Sequence, residues 1–262
     1  MSCLKSGLRL NARAIGVALI ASLAIACSSC GRFSNVRTPA NSSVSTPSTA
    51  SRVQPPITWD DIAISYDRIR AYQCLYEKEE RAISNGERQT IKVSFRKPFD
   101  VRLDWLNEGG RVDQSAVYRQ GLNNGKVLAR GYGLLGSLAG TLELNPTEKL
   151  ALSDSKHPIT ELGLGKIIER AKRDAADAHI KVKLVGQESL DSRATYRFEF
   201  VATDNEAVAG LPEARKALIW VDRELKLPVK LELYDGSSAL LERHYFKNLR
   251  LDVDLPDKTF TL

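Results

Sequence analysis

The chain has little of what protein chemistry is usually built from. Its 262 residues include three histidines, four cysteines and one methionine. His157, His179 and His244 stand isolated in the sequence, with no HxxxH or HExxH spacing and no acidic cluster beside them, which excludes a recognisable metal motif. There is no GxSxG elbow, and no SxxK accompanied by its partner motifs. No run of Lys and Arg gathers cations on one face, as a nucleic-acid surface requires. No apolar run reaches the ~20 residues of a membrane-spanning helix. Gly131, Gly133 and Gly136 match GxGxxG, but the strand-like residues from Thr141 leave no room for the helix that would follow a phosphate-binding loop. A glycine-rich loop without a cofactor is the expectation. Two acidic groups have structural explanations: Asp60 and Asp61 suit a helix start, and residues 77–81 (EKEER) read as a solvated strand face.

What is present begins at the N-terminus. Lys5, Arg9 and Arg13 precede an apolar stretch at 14–26 that ends in Ala26 and Cys27, the form of an export signal. The small residue followed at once by cysteine resembles a bacterial lipobox, which implies cleavage before Cys27 and attachment to membrane lipid through its acylated sulfur and amine. Leu23 sits one position earlier than usual for that motif, with Ala24 in its place. Cys30 is a rival acceptor, and a plain signal peptide releasing a soluble periplasmic protein is the alternative. Ser28, where an aspartate would hold a lipoprotein at the inner membrane, makes an outer-membrane anchor facing the periplasm the expected location.

Without the three signal cations the charge balance is 35 basic to 32 acidic, so much of the net +6 is a targeting charge. Residues 27–57 are rich in Ser, Thr, Pro and Asn and read as a disordered tether. Cys74 is expected as a buried free thiol, although a bridge to Cys30 is open in an oxidising compartment.

One domain is expected over 58–262. Thr58 can cap a helix carrying Trp59, Ile62, Tyr66 and Ile69 on one stripe. Thr160 can cap a second, from Glu161 to about Ala178, with Leu164, Ile167, Ile168, Ala171 and Ala175 inward. Nearly everything else alternates with period two, including Ile91, Val93 and Phe95 and then Phe99, Val101, Leu103 and Trp105. The expectation is an α+β, mainly β fold: about ten strands in a large curved antiparallel sheet, an unclosed barrel wrapping two helices.

Six segments carry a resemblance: 72–81 (YQCLYEKEER), 96–103 (RKPFDVRL), 117–126 (VYRQGLNNGK), 142–146 (LELNP), 157–164 (HPITELGL) and 219–229 (IWVDRELKLPV), the last followed by ELYD at 232–235. In this order they resemble the exported, planctomycete-type bacterial family of unknown function 1571. The layout is similar to the lipoprotein carriers LolA and LolB, whose open barrels enclose an apolar cavity. That resemblance implies a non-enzymatic protein, expected as a monomer, that binds acyl chains or a lipoprotein. No carrier motif transfers residue by residue; the strand alternation itself offers Ile91, Val93, Phe95, Phe99, Val101, Leu103 and Trp105 to the concave side, with Leu134, Leu135 and Leu138 of the glycine loop as a flexible rim. The alternative is a structural envelope module whose core is filled by its own side chains and whose outer face binds a protein or wall polymer.

Overall fold

The computed structural model describes residues 56–83, 86–132, 140–203 and 206–262. The export signal, Cys27, Cys30, the tether to residue 55, and the rim leucines 134, 135 and 138 lie outside these residues.

The first helix, α1 (Trp59–Asp67), starts where the sequence places it. Thr58 Oγ1 accepts from the Asp61 N–H at 3.1 Å while Asp61 Oδ2 accepts from the Thr58 N–H at 2.9 Å, so two orphan donors of the first turn are satisfied reciprocally. Thr58→Ala should cost about 1 kcal/mol, read as a lowered thermal midpoint. Ile62 is fully buried, and Trp59 packs its ring 5.3 and 5.4 Å from Phe198 and Phe200. Ile69 is also buried, but it lies beyond the helix end, in the link to the sheet.

Eleven antiparallel strands follow. They are β1 (Ala71–Glu80), β2 (Gln89–Arg96), β3 (Asp100–Leu106), β4 (Val112–Arg119), β5 (Val127–Gly131), β6 (Leu142–Leu144), β7 (Ile180–Leu190), β8 (Arg193–Ala202), β9 (Lys216–Asp222), β10 (Pro228–Tyr234) and β11 (Leu240–Leu251). The sheet order is β6-β5-β4-β3-β2-β1-β11-β10-β9-β8-β7. Each half of the chain is therefore a meander, and the two halves join where β11 pairs with β1. The outermost strands, β6 and β7, do not pair, so the curved sheet stays open.

The second helix departs from expectation. A single 3-10 turn (Ile159–Glu161) precedes an extended Leu162, and α2 (Leu164–Ala176) begins after Gly163, not at Thr160. Gly163 has φ +110°, and a Cβ there would lie 2.8 Å from the Tyr72 hydroxyl. Only glycine lets the chain turn so close to the sheet. The inward stripe also differs near its end: Asp174 is buried and Ala175 exposed, because Asp174 Oδ2 accepts from the Ala209 N–H at 2.6 Å and ties the helix to a neighbouring loop.

Both helices lie on one face of the sheet. Ile168 and Ala171 join Phe198, Phe200, Ile219 and Leu231 on one side, and Leu164 joins Tyr72, Val93, Phe95 and Val101 on the other. Each large side chain buried this way contributes roughly 1.5–3 kcal/mol. The opposite face is covered by the C-terminal segment, where Phe260 packs on Val117 beneath the Arg96 and Arg119 guanidiniums. Cys74 is a buried free thiol, and burial pushes its ionisation far above the usual thiol range. Among the described residues no helix is long and apolar enough to cross a membrane.

Candidate functional site

Strand pairing sets the inner-face residues in rows. One row runs Tyr76, Ile91, Trp105, Gln114 across β1 to β4, and the next runs Cys74, Val93, Leu103, Ala116, Ala129, Leu142 across β1 to β6. The alanines at 116 and 129 face each other where their neighbours carry larger groups, and the missing volume leaves a hollow. Ile91, Leu103, Trp105, Gln114, Ala116, Val127, Ala129 and Leu144 line it on the sheet side. Across it runs a strap formed by residues 146–157, which contributes Pro146, Leu150 and Ala151, with Ile159 and Leu162 beyond. Leu150 is 57% exposed although it lines the cavity.

Of the seven sheet residues expected to meet a ligand, Ile91, Leu103 and Trp105 line this cavity. Val93, Phe95 and Val101 are packed in the core with Tyr72 and Leu164, and Phe99 stacks edge-on to Phe95 and Tyr118. The cavity volume is about 70 Å3. At about 30 Å3 for each water that holds roughly two, less than the several hundred Å3 of a full ligand pocket.

At one end the apolar wall gives way to buried charge. Residues 77–81 are not a wholly solvated face: Lys78 and Glu80 continue the inward parity of Tyr72, Cys74 and Tyr76, and are 4% and 3% exposed. Glu80 stands directly opposite Glu242 in the β1–β11 ladder, itself 2% exposed. Two carboxylates so placed repel each other, and neighbouring donors offset that. Glu80 accepts from Ser155 Oγ at 3.2 Å and from the Lys156 N–H at 2.7 Å, with Lys78 Nζ at 3.4 Å. Lys78 also donates to the Asp154 carbonyl. Nor are the histidines isolated: His157 Nε2 and His244 Nε2 lie 2.9 and 3.0 Å from Glu242 Oε2. With both donating to that carboxylate, His244 Nδ1 is left to accept from the Tyr76 hydroxyl at 2.6 Å.

Burial alone would raise the Glu242 carboxyl, but the hydrogen bonds of His157 and His244 and the charge of His157 hold it well below the usual carboxylate range. Burial opposes protonation of His157, yet Glu242 and Glu80 raise its affinity for the proton above the ordinary imidazole value. Tyr76 is pushed far up by burial and the nearby carboxylates, so its phenol stays protonated. Lys78 is lowered by burial despite Glu80. No member of the cluster is a free nucleophile, and its contacts converge on the strap at Asp154, Ser155, Lys156 and His157. A second cavity of about 50 Å3, lined by Glu80, Glu242 and His244 together with Leu231, Leu233 and Phe246, adjoins the first, and Tyr76, Ser155, His157 and Leu162 line both. Among the described residues no group of three or more His, Cys, Asp or Glu is placed to hold a metal ion.

A family model described as "Protein of unknown function (DUF1571)" matches residues 69–262. The chain belongs to this family. DUF1571 thus spans every strand and α2, and α1 precedes it. Solved structures to which this chain is similar include a chain of the Pseudomonas aeruginosa MucA/MucB complex (19% identity, TM-score 0.48, 78% of this chain and 59% of that one). They also include a LolA superfamily protein of Nitrosomonas europaea (16%, TM-score 0.30, 79% and 98%) and the Mycobacterium tuberculosis lipoprotein LppX (10%, TM-score 0.44, 74% and 93%). This DUF1571 chain spans 61% of the length of MucB. No curated protein matches it in sequence.

Proposed function

We propose that the chain is a non-enzymatic lipoprotein of the cell envelope, held at the outer membrane by acylated Cys27 and acting as a monomer that takes an acyl chain or another apolar group between its sheet and its strap. The observation that carries this reading is the hollow over Ala116 and Ala129. Its sheet side is apolar, and its lid is fastened by polar contacts at one end. A close-packed core has no such alignment of small residues under a separable cover. A chain longer than the present cavity enters by displacing the strap, whose Leu150 is half out already.

The rival reading, a structural module with a filled interior, has the small cavity volume and the packed Val93, Phe95 and Val101 in its favour. Uptake of a fluorescent naphthylamine probe by the purified chain, followed by displacement with dodecanoic acid, separates the two. Saturable uptake is expected, and Ala129→Phe, which fills the hollow, should abolish it while leaving the thermal midpoint within a few degrees. An unmodified chain that takes up no probe would establish the filled module instead.

A further inference from the structure

The cavity wall is largely apolar, with Lys78, Gln114, Asp154 and His157 among its polar members, and at Trp105 it holds a donor that the protein leaves unpaired. Trp105 lines the cavity, and its Nε1–H is shut off from solvent with no hydrogen-bond partner. A buried donor left unpaired is costly and rare in native structures. Trp220 donates to Glu188 at 2.6 Å, whereas Trp59, the first residue of α1, shares the unpaired state but packs against Phe198 and Phe200. Gln114 is the cross-strand partner of Trp105 and lines the same cavity, and its amide reaches a partner only at 3.5 Å, on Asp154 Oδ2. Two adjacent donors beside the apolar stretch of the wall define what completes them. They call for an oxygen acceptor borne by an apolar group.

We infer that Trp105, with Gln114 beside it, is the specificity element of the cavity and takes the carbonyl oxygen of an acyl group, the hydrocarbon lying over Ala116 and Ala129. This rests on the reading that the cavity takes an apolar chain, and it adds which chain. A plain hydrocarbon leaves the indole N–H unpaired, whereas a fatty acid or an acyl ester satisfies it. Lys78 and His157, on the same wall, offset the Asp154 carboxylate there and favour the oxygen-bearing end over a second apolar one.

The test compares three probes of equal chain length, dodecanoic acid, methyl dodecanoate and dodecane, in displacing the naphthylamine dye from the full chain bearing Cys27→Ser, which keeps it free of its own acyl groups. Acid and ester should displace the dye at lower concentration than dodecane. Trp105→Phe, which keeps the ring and removes the donor, should weaken them roughly three- to tenfold and leave dodecane unchanged, the scale of one neutral hydrogen bond. If only the acid discriminates, the acceptor is a free carboxylate; if both do, an ester-linked lipid or lipoprotein chain also qualifies. Because the substitution can disturb packing, the indole N–H resonance of Trp105 in the unsubstituted protein gives a second reading: it should move downfield with acid or ester and stay put with dodecane. Equal affinities for all three probes and an unmoved resonance would overturn the assignment while leaving the cavity reading intact. Failure of every probe to displace the dye would overturn both.

Discussion

Replacing Glu242 with leucine should lower the folding free energy by about 3 kcal/mol and remove a pH dependence that the unmodified protein shows. Taking one partner from a buried ion pair usually costs 3–5 kcal/mol, because the other charge is left stranded. Two features bring this case to the lower end. His157 can release its proton and become neutral, and the repulsion between Glu242 and Glu80 across the ladder disappears with the substitution. The pH dependence follows from the shifts of the two groups. Glu242 is lowered from 4.5 in the folded state, so its contribution is present above about pH 4.5 and is lost only as pH falls through its low folded value. His157 is raised from 6.5, so its contribution is complete below about pH 6.5 and is lost as pH rises through the folded value. The pair therefore stabilises most between these limits and weakens on the alkaline side. Denaturant titrations at pH 5.5, 7 and 8.5 should show that decline in the unmodified chain and not in Glu242→Gln, which keeps the shape and an acceptor but loses the charge. An equal decline in both would assign it to groups elsewhere.

The strand pattern was readable because it depends on local alternation. Ile91, Val93 and Phe95 fall on the inner face with Val101 and Leu103 as period two requires, and one more strand exists than the ten expected. What escaped was whatever depends on pairing between distant segments. Glu80 and Glu242 meet because β1 and β11 close the two halves of the sheet, and nothing near either residue announces the other. A signal was present all the same: Lys78 and Glu80 keep the parity of Tyr72, Cys74 and Tyr76, and treating charge as outward overrode it. In β11 parity itself changes, since Asn248 adopts φ +51°, and Leu249 and Leu251 then pack with Phe246 on the inner cluster. Thr160 has good capping chemistry and so draws the expected start of α2, but the helix begins after Gly163, which the approach of Tyr72 requires, a tertiary fact. The strap is irregular chain without period, and its covering role is visible only once the cavity beneath it is.

Glu80→Leu should be the more damaging change for the strap, with a cost of about 3–5 kcal/mol. The carboxylate it removes is the acceptor for the Lys156 N–H and Ser155 Oγ and the counter-charge of Lys78, whose ammonium is almost fully buried. Lys78 then keeps only the Asp154 carbonyl, and one backbone donor of the strap loses its partner. Replacing both partners, Lys78→Met with Glu80→Leu, should recover a good part of the loss, because an apolar pair removes the stranded charge while leaving Lys156 N–H unpaired. The residual deficit of the double variant then measures what the carboxylate does for the strap itself. Limited trypsin digestion reads the same point locally, since Lys149 and Lys156 lie on this segment: cleavage there should accelerate in Glu80→Leu and in the double variant alike, although only the single variant is strongly destabilised overall. If the double variant instead resists trypsin as the unmodified chain does, the strap is held by Leu150 and its neighbours on the cavity wall, and Glu80 serves Lys78 alone. Under the first outcome, opening of the strap joins the cavity to the smaller one beside it, and dye uptake by the double variant should be faster than by the unmodified chain.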